Sequence, residues 1–216
     1  MTAQARETLV ATARSMNDSG LNRGTSGNLS LRDGAGMLIT PSGVPYEALD
    51  PESIVWVDAE GRPGEGLRPS SEWRFHHDIY RARPEAGAIL HAHPVHCTAL
   101  ACLNRPLPAF HYMVAVAGGR DIRCAPYATF GTQALSDNVL QALDGRRACI
   151  MANHGLLCFA STLPQALDLA LEIEHLAQTY LATLAVGEPV ILDDQEMDRV
   201  LLKFADYGPR DPKANA

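Results

Sequence analysis

The amino-acid sequence predicts an α/β fold built on a mixed sheet. Three observations lead to this prediction: apolar segments of strand length alternate with amphipathic helical segments, several strands follow one another as hairpins, and no long linker divides the 216 residues. Because hairpins pair neighbouring strands antiparallel, the sheet is expected to be mixed rather than fully parallel. We expect a single domain over residues 1–216, with a disordered tail from about residue 208.

The individual elements follow from the spacing of apolar residues. Apolar residues at helical spacing predict helices at 3–18, about 72–82, 94–103, 132–143, 163–184 and about 194–205. Short apolar or β-branched runs between turn residues predict strands in NLSLR (28–32), GMLIT (36–40), SIVWVD (53–58), AGAILHAH (86–93), ACIMAN (148–153) and LLCFA (156–160). The hydroxyls of Ser70 and Ser71 are expected to cap the second helix, with Glu72 in its first turn.

Composition and charge describe an ordinary globular protein and argue against several functional classes. Hydrophobic residues make up 46% of the chain, and a net charge of -7 argues against binding nucleic acid through a basic face. The five cysteines are odd in number and no two have CxxC spacing, which favours buried free thiols in a reducing compartment. The chain shows neither an apolar signal-peptide core nor a membrane-length apolar run. We therefore expect a cytoplasmic protein that binds neither nucleic acid nor membranes.

Histidines are concentrated in the segment LHAHPVH, residues 90–96. Residues i and i+2 of a strand point to the same face, so His91 and His93 are expected to be neighbours. A third imidazole is expected from His154, which follows another apolar strand and precedes a glycine that permits a sharp turn. Zinc takes three or four N, O or S ligands, so this set favours a metal site; buried histidines satisfied by hydrogen bonds are the alternative. His96 lies beyond a proline, off the strand, and we assign it no metal role.

Three loops combine small hydroxyl residues with glycines or with a helix start: GTSGNLS (24–30), TPSGVPY (40–46) and PSSEW (69–73). Glycines let backbone N–H groups approach a ligand, and a helix N-terminus favours an anion. Each loop alone is better explained as an ordinary turn or a capped helix, and Glu72 alone as a first-turn acid favoured by the helix dipole. Together, the three loops indicate a phosphate pocket beside the Glu72 carboxylate.

Eight motifs follow one another between about residues 5 and 207: GTSGNLS, MLITPSGVPYE, PSSEWRFH, HAHPVHCTAL, HYMVAVAGG, CAPYATFGT, NHGLL and EHLAQTYL. This ordered set resembles the class II aldolase/adducin family. The resemblance implies a three-layer α/β/α sandwich with a mixed, largely antiparallel central sheet. It also implies a homotetramer with its active sites at subunit interfaces.

The resemblance further implies roles for individual residues. It implies one zinc ion per subunit, held by His91, His93 and His154, with Glu72 as a nearby ligand that leaves when substrate binds. The residues implied in gripping a substrate phosphate are Asn28, Ser42, Gly43, Ser70 and Ser71, with Thr25 and Gly27 shaping the first loop.

The activity that the resemblance implies is the reversible cleavage of a ketose 1-phosphate, of the L-fuculose 1-phosphate type, to dihydroxyacetone phosphate and a small aldehyde such as L-lactaldehyde. Zinc would stabilise the charge that carbon–carbon cleavage leaves, and Glu72 would shuttle the proton on the dihydroxyacetone phosphate carbon. Tyr112 would reach in from a neighbouring subunit as proton donor, and Tyr207 would close over the aldehyde end. The two lysines, Lys203 and Lys213, lie outside the pocket motifs, which agrees with a metal in place of a Schiff base.

Other reactions of the family remain alternatives on the same scaffold. A 5-deoxyribulose or 5-methylthioribulose 1-phosphate aldolase would use the same zinc and phosphate residues and ranks next. A sugar-phosphate epimerase or dehydratase of the family follows. A non-catalytic adducin-like interaction module is disfavoured, because it would need neither three imidazoles nor an acid. Zinc is the expected ion, with another divalent ion as the alternative.

Overall fold

The computed structural model describes residues 3–205, and its helices and strands follow the predicted order. The helices are α1 (Ala3–Asp18), α2 (Trp73–Ala82), α3 (Val95–Cys102), α4 (Gln133–Ala142), α5 (Leu163–Val186) and α6 (Asp194–Ala205). The strands are β1 (Asn28–Asp33), β2 (Gly36–Ile39), β3 (Val55–Val57), β4 (Ala88–Ala92), β5 (Cys124–Ala125), β6 (Ala148–Met151) and β7 (Gly155–Ala160). Short 3-10 helices span Tyr46–Ala48, Pro51–Ser53 and Tyr112–Ala117.

The strands form one seven-stranded sheet in the order β3-β2-β1-β4-β7-β6-β5. Every neighbouring pair is antiparallel except β5 with β6, which is parallel. The predicted α/β fold with a mixed, largely antiparallel sheet is therefore confirmed. Strand β4, which carries His91, is the middle strand, between β1 and β7.

Helices cover both faces of the sheet, which gives the three layers that the family resemblance implies. One apolar core, with Leu90 and Ile173 among its members, joins the sheet to α1, α3 and α5. A second core, with Ile89 and Phe75 among its members, joins the opposite face to α2 and α4. Side chains alternate between faces along a strand, so His91 points to the same side as Ile89 and faces α2.

The start of α2 differs from the prediction in a way that matters for the site. The N-cap of this helix is Glu72, and no side chain caps it, so the expected capping by Ser70 and Ser71 is wrong. The Ser70 hydroxyl instead accepts from the Glu72 N–H at 3.3 Å, within the turn before the helix. The Glu72 side chain is thereby free to extend toward the histidines.

Smaller differences have local causes. Strand β3 begins at Val55, because Pro51–Ser53 forms a 3-10 turn. Strand β5 was not predicted, since two residues show no periodicity. All five cysteines are free, as expected, but only Cys97, Cys149 and Cys158 are buried, whereas Cys124 is partly buried and Cys102 is exposed. Within residues 3–205, no helix has the length and apolarity required to cross a membrane. Tyr207 and the tail expected from about residue 208 lie outside the described residues.

Candidate active site

A cavity of about 360 Å³ lies beside the end of β4 and the turn that leads into β7. All three loops with hydroxyls and glycines contribute to it: Thr25, Ser26, Gly27, Asn28, Pro41, Ser42, Gly43, Ser70, Ser71 and Glu72. The rest of the lining comes from later segments: His93, Tyr127, Ala128, Phe130, Asn153 and His154. The fold therefore joins the predicted phosphate loops and the predicted metal ligands in one place.

The three imidazoles predicted to act together lie in contact with one another. The Nε2 atoms of His91 and His93 are 3.0 Å apart. The centroids of these two rings and of the His154 ring are separated by 4.7 to 5.0 Å. One nitrogen from each ring lies within 4.8 Å of the other two, which is close enough for all three to bind one metal ion.

Strand pairing fixes the orientation of His91. The side chain is fully buried, and its Nδ1 lies 2.8 Å from the carbonyl oxygen of Leu156 on β7. A carbonyl can only accept, so Nδ1 donates to it, and Nε2 is the nitrogen that faces His93 and Glu72. A histidine that donates from one ring nitrogen to a carbonyl and presents the other is the arrangement typical of metal ligands.

Two turns place the other imidazoles. The backbone N–H of His93 donates to Asn22 Oδ1 at 2.9 Å, which anchors the chain as it leaves β4. His154 follows Asn153, whose φ of 53° is left-handed, a conformation that asparagine tolerates. A Cβ on Gly155 would lie 2.8 Å from Cδ2 of the His93 ring, so only glycine allows these turns to pack together.

The Glu72 carboxylate faces the histidines from the start of α2. Its Oε2 lies 3.2 Å from His91 Nε2, and its Oε1 lies 3.2 Å from His154 Nε2. Asn28 Nδ2 donates to Oε2 at 3.0 Å. Burial by itself raises the pKa of Glu72, but His91, His154 and the Asn28 amide together outweigh burial and lower that pKa to about 2. The carboxylate is therefore ionised.

These residues fit a divalent cation that prefers nitrogen and oxygen ligands. Burial, and then the neighbouring imidazoles, lower the pKa of His93 to about 3 and that of His154 to about 4. Neutral imidazole is the form that binds metal. Within the described part of the chain, Glu72 Oε1 is a buried oxygen without a hydrogen bond. Three imidazoles and such a carboxylate oxygen form a ligand set that suits zinc.

Backbone hydrogen bonds hold the second and third of the predicted phosphate loops together. Ser42 N–H donates to the Arg68 carbonyl and Ser70 N–H donates to the Thr40 carbonyl, both at 3.0 Å, so the second and third loops run side by side. In the first loop, Gly27 has a φ of 74°. A Cβ there would collide with Nδ2 of Asn22 and the carbonyl oxygen of His91, so this glycine lets the loop lie against strand β4.

The structure describes all of the predicted site residues except Tyr207. Those that line the cavity are Thr25, Gly27, Asn28, Ser42, Gly43, Ser70, Ser71, Glu72, His93 and His154. His91 is fully buried against His93 and His154. Tyr112 is 51% exposed and lies outside this lining, against Phe204 of α6. Tyr207 lies outside the described residues, and the roles of all these residues stay predictions.

The sequence interpretation missed a set of buried polar residues behind the cavity. They are His76 and Tyr80 on α2 and Ser30 on β1, all of which are buried. The signal was present in the spacing: Glu72, His76 and Tyr80 are four residues apart, which places them on one face of a helix. Asn28 and Ser30 are two apart, on one face of a strand.

Two aromatic residues of the cavity were also missed. Tyr127 and Phe130 line it and are 61% and 64% exposed. Both belong to the motif CAPYATFGT, which supports the family resemblance but for which we predicted no role. Exposed aromatic side chains beside a polar cavity can contact an apolar part of a ligand.

Comparison with known proteins gives consistent matches over nearly the whole chain. Residues 7–181 match the family described as Class II Aldolase and Adducin N-terminal domain. The chain is 53% identical over 203 residues to the L-fuculose phosphate aldolase of Escherichia coli (strain K12), covering 94% of each. It is equally 53% identical over 203 residues to the 5-methylthioribulose-1-phosphate/5-deoxyribulose-1-phosphate aldolase of Rhodospirillum rubrum, covering 94% of this chain and 92% of the relative. A solved structure of an L-fuculose 1-phosphate aldolase is similar with a TM-score of 0.92 and 42% identity, covering 95% of this chain and 98% of that one.

Proposed function

Because the chain belongs to the class II aldolase and adducin family, we propose that it cleaves a ketose 1-phosphate reversibly into dihydroxyacetone phosphate and a small aldehyde. One observation carries the proposal: three imidazoles and the Glu72 carboxylate converge beside a cavity lined by hydroxyl and glycine loops. The imidazoles and Glu72 are suited to act at the oxygen-bearing carbons of a ketose, whereas the hydroxyl and glycine loops are suited to bind its phosphate.

The metal ion would be held by His91, His93 and His154, with Glu72 as a further ligand that substrate displaces. We propose zinc, one ion per subunit, because the ligand set is imidazole and carboxylate. When bound there, the cation supplies a Lewis acid for negative charge on the keto oxygen and the adjacent hydroxyl oxygen of the sugar. The chain's own part is to keep His93 and His154 neutral and, through the Leu156 carbonyl, to orient His91.

Glu72 is the group that we propose to move the proton at the dihydroxyacetone phosphate carbon. In the condensation direction it removes that proton, and in the cleavage direction it returns it. The carboxylate is ionised in the free protein, and its Oε1 makes no hydrogen bond with any described residue, so this oxygen is able to accept a proton. Asn28 holds the other oxygen, Oε2.

We propose that the loops around the cavity hold the substrate phosphate. The residues concerned are Thr25, Gly27, Asn28, Ser42, Gly43, Ser70 and Ser71. Binding a group away from the reacting bond orients the bond for cleavage. Lys203, the one lysine among residues 3–205, does not line this cavity, so the described chain offers no Schiff-base lysine there.

A second subunit is part of the proposal. We propose a cytoplasmic homotetramer whose active sites lie between subunits, with Tyr112 of the neighbouring copy giving a proton to the aldehyde oxygen in condensation. In its own chain Tyr112 is half exposed and lines a separate hollow with Met113 and Val200. A tyrosine that is exposed and lies outside the cavity of its own chain can reach the cavity of a neighbouring subunit. Tyr207 is proposed to close over the aldehyde end.

The identity of the sugar depends on the aldehyde that leaves. L-Fuculose 1-phosphate would release L-lactaldehyde, whereas 5-deoxyribulose 1-phosphate would release acetaldehyde and 5-methylthioribulose 1-phosphate would release its methylthio derivative. The two relatives of equal identity are named for these different sugars, which supports a 5-methylthioribulose or 5-deoxyribulose 1-phosphate aldolase as the alternative. We place L-fuculose 1-phosphate first, because the similar solved structure carries that name.

A cleavage assay tests the proposal. Purified protein is given a panel of ketose 1-phosphates, and dihydroxyacetone phosphate is detected through a coupled dehydrogenase. We expect cleavage of at least one sugar, abolished by a chelator and restored by zinc. Interconversion without cleavage would indicate an epimerase, and loss of water a dehydratase. A protein that binds no divalent ion and acts on none of the sugars would indicate an interaction module.

A further inference from the structure

We infer that His76 is a positioning residue that orients the Asn28 amide and thereby determines which oxygen of Glu72 is held by a hydrogen bond and which is left without one. The inference rests on the aldolase function proposed above and adds a residue that substrate cannot reach. His76 lies on α2, its side chain is fully buried, and it does not line the cavity. It therefore acts on the reaction only through the residues that it contacts.

A continuous chain of hydrogen bonds, which we term the buried chain, leads from α2 through β1 to the carboxylate. The Tyr80 hydroxyl lies 2.9 Å from Ser30 Oγ, and Ser30 Oγ lies 2.7 Å from His76 Nδ1. His76 Nε2 lies 2.5 Å from Asn28 Oδ1, and Asn28 Nδ2 lies 3.0 Å from Glu72 Oε2. All five side chains are buried, so each contact forms away from bulk water.

A single arrangement of donors and acceptors satisfies every bond in the buried chain. Asn28 Nδ2 donates to Glu72 Oε2, and the carbonyl oxygen of the same amide faces His76. That oxygen can only accept, so Nε2 of His76 carries the proton. In a neutral imidazole Nδ1 then accepts from the Ser30 hydroxyl, and Ser30 accepts from Tyr80. The donors all point toward Glu72, an arrangement in which each bond polarises the next.

The need for His76 follows from the shape of asparagine. The two ends of the Asn28 amide are nearly the same size, so sterics alone do not select which end meets the carboxylate. A reversed amide would place its carbonyl oxygen against Oε2 of Glu72 and repel it. The Nε2–H donor of His76 opposes that reversal, because a reversed amide would also set an NH₂ group against Nε2–H. His76 in this tautomer therefore stabilises the amide orientation that donates to the carboxylate.

The consequence is that the two oxygens of Glu72 have different partners. Oε2 is held by Asn28, whereas Oε1 has no hydrogen bond to any residue of the described chain and lies 3.2 Å from His154 Nε2. Oε1 is thus the oxygen available to a cation or to a substrate proton. If the buried chain is cut, the carboxylate can rotate, and turnover should fall more than substrate binding.

The experiment replaces His76 by Phe, which keeps a ring and removes both nitrogens. The matched control is His77→Phe on the same helix, since His77 Nε2 also makes a hydrogen bond, but to the Ala59 carbonyl and outside the buried chain. For His76→Phe we expect kcat to fall on the order of 10–100-fold with little change in KM. Partial rescue is expected in His76→Gln, whose NH₂ group can donate to Asn28.

A second measurement does not depend on turnover. Both variants and the wild-type protein are loaded with Co²⁺ in place of zinc, and their visible absorption spectra are compared. We expect a changed spectrum for His76→Phe, because the carboxylate beside the ion is no longer held, and an unchanged one for His77→Phe. If the wild type cleaves no ketose 1-phosphate, the proposed function fails, and the Co²⁺ spectra still decide the role of His76.

Clear results would overturn the inference. A His76→Phe protein with the kcat and Co²⁺ spectrum of the wild type would do so, as would a rise in KM alone. If His76→Phe does not fold, Ser30→Ala takes its place, since it deletes one hydroxyl and leaves the ring. We then expect a smaller loss of kcat at constant KM, and an unchanged kcat would equally remove the buried chain from the mechanism.

Discussion

Asn28 lies directly opposite His91 in the β1–β4 pair, and both side chains reach the same oxygen of Glu72. The distances to Oε2 are 3.0 Å from Asn28 Nδ2 and 3.2 Å from His91 Nε2. Two neighbouring strands thus hold a carboxylate that arrives from a helix. The register of one strand pair is therefore enough to bring the proposed base beside a proposed metal ligand.

Replacing the carboxylate by an amide should separate its chemistry from its structural role. We expect Glu72→Gln to keep the fold and most of the bound metal while kcat falls by about 10²–10⁴-fold. The amide oxygen can still accept from Asn28, but an amide takes up no proton. Coupled-assay kinetics and metal analysis measure the two effects. Glu52→Gln, at an exposed position, is the control, and an unimpaired kcat in Glu72→Gln would exclude Glu72 as the base.

Zinc should stabilise the folded protein through the three imidazoles. A ligand that binds only the folded state at about a hundred times its Kd adds about 2.7 kcal/mol, or roughly 5–10 °C in Tm for a chain of this size. Thermal unfolding with and without zinc measures the shift, and His154→Ala should remove most of it. His96→Ala should retain it, because His96 pairs with Glu174 instead. Equal shifts in both variants would contradict the assignment of ligands.

A side chain at position 27 should destabilise the fold more than a side chain at position 24. Both glycines have left-handed φ angles, 74° and 67°, so either Gly→Ala change should cost about 1–2 kcal/mol in free energy of unfolding. A Cβ at position 24 meets no atom within 4 Å, whereas one at position 27 meets Asn22 and the His91 carbonyl. Gly27→Ala should therefore cost about a further 1–3 kcal/mol and weaken metal binding. Denaturant unfolding compares the two, and equal losses would refute the close packing.

If a neighbouring subunit supplies Tyr112, two inactive variants should complement each other in mixed tetramers. Glu72→Gln and Tyr112→Phe proteins should each be nearly inactive, and mixed tetramers should recover part of the activity, because some sites then combine an intact Glu72 with an intact Tyr112. Mixing Glu72→Gln with the double variant is the control, since no such site can form. Native mass spectrometry shows whether hybrids are present; hybrids without recovered activity would place Tyr112 outside the neighbouring site.

Local rules were sufficient where a site element lies within one short segment. The period of a strand predicts that His91 and His93 are neighbours, and a glycine turn at a strand end singles out His154; the structure brings these rings into contact. The expected capping at Ser70 failed because the turn before α2 uses that hydroxyl itself. Local rules favoured a capped helix there, whereas the site requires a helix start that leaves Glu72 free.

Those rules do not predict which segments lie next to one another in the fold. That Asn28 faces His91 depends on the register of two strands separated by β2, β3 and α2. The buried chain through His76 shows in the sequence only as spacing on two elements, and nothing in one element says that the other lies against it. Tyr112 lies outside the cavity of its own chain, so any role in catalysis depends on contacts between chains.

Because β4 lies in the middle of the sheet, the segments that form the site differ in their local stability. Amide hydrogens of a central strand exchange with solvent mainly through global unfolding, whereas those of surface loops exchange through local opening. His91 belongs to the first group, and the loops at 24–30 and 40–46, which reach the cavity from outside β4, belong largely to the second. The proposed metal site therefore depends on the stability of the whole domain, whereas the proposed phosphate site depends on segments that can open on their own.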